Sequence, residues 1–217
     1  MIMLTLYASP ESLYCAKLRI LLRYKGVEWR EIMPDGGCGS AEYRAMIPSG
    51  TMPAIDHDGL ILADSEAIAE YLEEIVPEPS ALPGDAAARA RHRERARFHD
   101  TRLEPELRKL FPHVSPGKAG SDAVIAQQSA LNERLAELAR VLDADDRRRD
   151  EEFTLGECGF PVTFAWLDRF ISVLRMDIHW PQSVLDYRQA FEQLAAVREE
   201  LVAYAPAMDA WIASRPD

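Results

Sequence analysis

The stretch SGTMPAIDHDGLILADSEAIAEYLEE, residues 49–74, holds the signals that decide how this chain folds. Met52-Pro53 opens a short apolar run, Asp58-Gly59 makes a turn, and Leu60-Ile61-Leu62 gives a second run, the pattern of a β-hairpin. Asp64-Ser65 then stands directly before an amphipathic helix expected from Ser65 to Ile75. An X-Pro peptide beside a hairpin offers free backbone groups to an extended ligand backbone. An acid-hydroxyl pair at a helix start offers N–H donors to a carboxylate. Together these features suit a small peptide ligand.

Working outward, the residues before this stretch switch between strand and helix. Met1 to Tyr7 reads as a buried strand, Ser12 to Tyr24 as a helix that stops at Gly26, and Val27 to Ile32 as a half-buried strand. Pro34 to Gly39 is a glycine-rich loop and Ala41 to Ile47 a short helix. The order βαβ–α–ββ–α predicts an α/β thioredoxin-like domain over residues 1–77. Residues 78–84, rich in proline, read as a linker. From 85 to 217 every strong signal is helical, so an all-α C-terminal domain is expected, with helices at about 85–110, 123–142, 154–176, 185–204 and 206–214. Thr154-x-x-Glu157 is a capping box with Phe153 as its staple. The mixed-sign charge run at 145–152 reads as a solvated loop.

Composition narrows the function classes. With 217 residues, 47% apolar and 28% charged, the chain has ordinary globular values. A net charge of −11 argues against nonspecific binding of nucleic acid or anionic membrane. Cys15, Cys38 and Cys158 are odd in number and lack CxxC spacing, so neither a disulfide framework nor a metal site is expected, and a reducing cytoplasm fits. Met1 to Tyr7 is too short for a secretory signal, and no apolar stretch reaches the length of a membrane span.

The segment LYASPESLYCAKLRILLRYKGV, residues 6–27, resembles the first strand and helix of serine-type cytosolic glutathione transferases, the zeta and theta classes. The capping box and the ending Pro206-x-Met208-x-x-Trp211-x-x-x-Arg215-Pro216 extend the resemblance over nearly the whole chain. It implies the glutathione transferase fold and glutathione as co-substrate. Ser12 falls on the catalytic serine, whose hydroxyl stabilises the glutathione thiolate. Met52 matches the residue that pairs with the cysteinyl backbone and Pro53 the cis-proline. Asp64 and Ser65 match the pair holding the γ-glutamyl end. Tyr7, Cys15 and Ser9 are rival candidates for the chemistry at this turn. The resemblance also implies an acceptor site between the halves, with Phe111, Trp166 and Arg169 as candidates and Phe98, Arg102 and His113 as further contributors. Arg169 falls on an arginine that maleylacetoacetate isomerases use for substrate carboxylates. Residues 34–40 offer no clear basic group for the glycyl carboxylate.

The activity expected is transfer of glutathione to a small, largely apolar electrophile by a cytoplasmic homodimer acting in detoxification. Alternatives are zeta-like cis-trans isomerisation, reductive dehalogenation through Cys15, and a non-catalytic binding or regulatory protein. The sequence departs from zeta members in two places, with Ser12-Leu13-Tyr14 in place of Ser-Ser-Cys and Asp64 in place of Gln.

Overall fold

A computed structural model describes residues 3–144 and 153–215, so the charge run at 145–152 lies outside the described residues. The chain forms two units, Met1–Leu82 and Pro83–Asp217.

The first unit is a four-stranded mixed sheet flanked by helices, the thioredoxin-like arrangement. Its elements are β1 (Met3–Tyr7), α1 (Leu13–Tyr24), β2 (Glu28–Ile32), α2 (Ala41–Met46), β3 (Ala54–His57), β4 (Leu60–Ala63) and α3 (Ser65–Ile75). The strand order is β2-β1-β3-β4, with β1 parallel to β2 and the β1–β3 and β3–β4 pairs antiparallel. Leu4 and Leu6 alternate inward along β1 and join Ile20, Leu21, Ile55, Ile68 and Leu72 among the buried side chains. Burial of each is worth about 1.5–3 kcal/mol. Helix α1 is buried over nearly its whole length, including two charged residues, Lys17 and Arg19.

The proline-rich segment after α3 is no slack tether. The Glu73 carboxylate accepts from Ser80 Oγ and from the Ala81 and Leu82 N–H groups, and the Lys25 ammonium reaches the Val76 and Pro79 carbonyls.

The second unit is all-helical among its described residues. It contains α4 (Ala86–Phe98), a π-helical turn (His99–Leu103), α5 (Glu104–Arg108), two 3-10 turns, α6 (Asp122–Asp143), α7 (Phe160–Leu174), α8 (Gln182–Glu192) and α9 (Ala195–Ala213). The helix expected over 85–110 is therefore interrupted by a wider turn. Thr154 and Glu157 do form the expected box: Glu157 Oε2 accepts from Thr154 N–H and Thr154 Oγ1 from Gly156 N–H. That box closes a turn at 155–159, and the regular helix starts later, at Phe160. The last two helices differ most from expectation. The break falls at residues 193–194, and Pro206 lies inside α9 instead of opening it. The carbonyl that Pro206 leaves without an N–H belongs to Val202, a residue 75% exposed, so water can serve it. No helix among the described residues is long and apolar enough to cross a membrane.

Candidate functional site

Strand register brings the predicted glutathione residues of the first unit to one end of the sheet. Tyr7 pairs with Ala54, and Ala54 with Ala63. The segments leading to Ser12, preceding Ala54, and following Ala63 therefore all leave the sheet along the same line. Ser12, Met52-Pro53 and Asp64-Ser65 sit on those three segments.

Ser12 is the N-cap of α1. Its backbone is extended and its Oγ accepts the Cys15 N–H at 3.3 Å, while its carbonyl accepts from Ala16. A hydroxyl that accepts in this way keeps its own proton for donation. The turn before it is braced by Arg19, which donates to the Ser9 carbonyl (3.3 Å) and pairs with Glu31 on β2 at 2.9 and 2.5 Å. One turn into α1, buried Lys17 pairs with Glu66 in the first turn of α3, tying together the two helix starts.

Met52-Pro53 is a cis peptide bond, and Met52 is half-buried against Tyr43, Ile47 and Ala54. Neither the N–H nor the C=O of Met52 makes a hydrogen bond to any described residue. Asp64 caps α3 from a positive-φ conformation (φ 79°), its Oδ1 accepting from Glu66 N–H at 3.0 Å and Ala67 N–H at 3.1 Å. Beside it Ser65 is 8% exposed, and its hydroxyl makes no hydrogen bond among the described residues. The sheet end thus carries a donor hydroxyl, an open peptide edge and a second open hydroxyl beside a helix N-terminus, a set able to hold an anionic peptide.

The structure also places two of the rival groups. Tyr7 packs on Tyr43 with ring centroids 6.2 Å apart. Cys15 has no exposed surface, and burial pushes its thiol up, only partly offset by hydrogen bonds with Ser12 and Ser9 and by the Arg19 charge. A neutral, enclosed thiol is poorly suited to nucleophilic work.

The acceptor candidates lie in the second unit. Phe111 is the hub of an aromatic cluster, with centroids 5.0, 4.9 and 4.9 Å from Trp166, Phe170 and Trp211. Trp166 is fully buried and its indole N–H donates to Tyr204 Oη at 2.8 Å. Arg169 donates to Asp209 (2.7 Å) and the Ala165 carbonyl (3.2 Å), while Asp168 binds Arg188 instead. Phe98 is buried in α4, Arg102 pairs with Glu137 at 2.6 Å, and His113 is half-buried.

Sequence reasoning passed over Lys17, Arg19 and Tyr43. A signal was present for the first two: charged residues in a helix without a polar face must find buried partners. For Tyr43 there was none, since one aromatic in a short helix reads as core.

Residues 6–80 match the family model described as "Glutathione S-transferase, N-terminal domain". A stringent starvation protein A homolog from Pasteurella multocida is 28% identical over 155 residues, 71% of this chain and 70% of its own. A maleylacetoacetate isomerase from Pseudomonas aeruginosa is 38% identical over 94 residues, 41% of this chain and 44% of its own. The theta-class glutathione S-transferase of Xanthomonas axonopodis pv. citri, solved with glutathione bound, superposes with a TM-score of 0.74 at 20% identity, covering 92% of this chain and 97% of that one.

Proposed function

We propose that the protein, whose residues 6–80 match the glutathione S-transferase N-terminal domain model in a chain of glutathione transferase fold, binds glutathione at the end of its sheet and activates the thiol through Ser12. The observation that carries this reading is the coincidence, at one end of one sheet, of the Ser12 hydroxyl, the open Met52 backbone and the open Ser65 hydroxyl. The Met52 N–H and C=O pair with the cysteinyl residue as a further strand would. Ser65 and the α3 N-terminus hold the γ-glutamyl carboxylate, and the exposed Asp64 carboxylate faces the ammonium group.

The chemistry follows from the thiol. At an ordinary pKa near 8.5 only a few per cent is thiolate at neutral pH, and a drop of about 2 units needs about 2.7 kcal/mol of anion stabilisation. The Ser12 O–H, helped by the N-terminal dipole of α1, is suited to supply it. A neutral Cys15 thiol is a weak acceptor, so the hydroxyl turns readily to an incoming thiolate. The thiolate then attacks an electrophilic carbon of a small, largely apolar acceptor. The carbon–sulfur bond forms as the leaving group departs or the electron pair is taken up by a proton. A homodimer in a reducing cytoplasm accompanies this reading, which suits three cysteines that form no disulfide.

A second reading, binding or regulation without turnover, is favoured by one observation. The stringent starvation protein A homolog matches 71% of the chain, whereas the isomerase matches 41%. Isomerisation is weakened further by Arg169, whose guanidinium is held by Asp209.

Thiolate absorbance of bound glutathione against pH separates these readings. A depressed thiol pKa in the wild type, returning towards 8.5 in Ser12→Ala, supports the transferase. A normal pKa in both removes Ser12 from the chemistry, and an absence of binding moves the protein to the second reading.

A further inference from the structure

From Pro48 to Thr51 every backbone carbonyl, together with the Gly50 and Thr51 N–H groups, is held from within the first unit. Arg44 Nη1 donates to the Pro48 and Ser49 carbonyls, at 3.4 and 3.2 Å. Gly50 N–H donates to the Ile47 carbonyl at 2.8 Å, and Gly50 C=O accepts from the Cys38 thiol at 3.1 Å. Thr51 N–H donates to Ser49 Oγ at 3.3 Å, and Thr51 C=O accepts from Tyr43 Oη at 3.0 Å. The run of held carbonyls stops at Met52, whose N–H and C=O have no partner among the described residues.

The last bond in the series matters because the Thr51 carbonyl and the Met52 N–H belong to one peptide unit. That unit is planar and trans, so its O and its H point in opposite directions. Whatever holds the oxygen also aims the hydrogen.

We propose that Tyr43 is a positioning residue for glutathione: by binding the Thr51 carbonyl, its hydroxyl fixes the plane of the Thr51–Met52 peptide and points the Met52 N–H outward, at the cysteinyl carbonyl of the ligand. This rests on the glutathione reading above.

Tyr43 is built for the task. It is 2% exposed, and it is packed with Ile47 and Ala54 against Tyr7, Met46, Met52 and Ala63. Its own N–H is fixed by Ser40 Oγ at 3.2 Å and its carbonyl by Ile47 N–H at 2.7 Å. Burial, with Cys15, Cys38 and Tyr7 nearby, pushes the phenol up to about 12, so it remains a donor throughout the neutral range.

Tyr43→Phe removes only the hydroxyl and tests the idea in two ways. With methionine selectively labelled with ¹⁵N, the order parameter of the Met52 N–H in free protein falls from about 0.85 to below about 0.6, while that of buried Met208 stays unchanged. The glutathione Kd rises about five- to tenfold, with the bound thiol pKa unmoved because Ser12 is intact. An unchanged Met52 order parameter, or a variant that merely melts earlier and binds glutathione as the wild type does, overturns the role of Tyr43. Failure of the wild type itself to bind glutathione overturns the ligand assignment, and with it the function proposed above.

Discussion

Glu73 shows how much a single carboxylate can gather. It pairs with Lys25, whose side chain is wholly buried, at 2.6 Å, and it accepts the Ser80 hydroxyl and two N–H groups from the segment after α3. Burial pushes its carboxyl up, but Lys25, the Ala81 N–H and Ser80 together bring it below the usual 4.5. The unfolded chain therefore takes up this proton first on acidification. The Glu73 contribution is fully present above about pH 4.5 and is lost as pH falls through the lower, folded value. Glu73→Ala is expected to cost about 3 kcal/mol at pH 7, because it strands a buried ammonium. Denaturant melts at pH 7 and pH 3 should show the variant and wild type converging at the acidic end. None of this was legible beforehand: Lys25 reads as a helix-end lysine, and Glu73 as the polar flank of Glu-Tyr-Leu-Glu-Glu. The placement of Ser12 and Asp64 at helix starts was legible because cap signals act over a few residues, whereas the glutathione roles expected of Ser12, Met52 and Ser65 come from the family resemblance.

At the scale of elements, α3 was read to the residue, Ser65 to Ile75, because its apolar period and the acid before it agree. The last helices were misjudged because no glycine or proline marks the break at 193–194, and because Pro206 looks like a helix start. The residue four back, Val202, is exposed, so water can serve its orphaned carbonyl and ease the penalty, a fact that resides in the packed chain alone. The cap of α3 also separates stability from binding. Asp64→Asn keeps an oxygen for the Glu66 and Ala67 N–H groups and tolerates positive φ, so its melting temperature should hardly move while glutathione affinity drops with the lost charge. Asp64→Ala should cost more than about 1 kcal/mol, since it loses the cap and keeps the strained backbone. A variant pair with equal melting temperatures would contradict this account of the cap.

For the whole molecule the dominant fact is a net charge of −11 against a proposed ligand, glutathione, that is itself anionic. On that proposal, local helix termini would attract glutathione while the global field repels it. The Debye length shrinks from about 30 Å at 0.01 M salt to about 8 Å at 0.15 M, so repulsion from distant carboxylates fades first. Glutathione affinity should therefore rise with added salt over that range, by about threefold, and a titration at the two salt levels would show it. A fall would mean that nearby cations dominate. The three thiols also differ in access: Cys15 and Cys158 are enclosed, and Cys38 alone is exposed. It lies against Gly50, where φ is +67° and any Cβ would run into Arg44 and Gly39. The unmodified protein thus comes with a ready attachment point for a fluorophore or spin label. A maleimide dye placed there needs no engineered cysteine, and it would stand beside the loop that carries Met52.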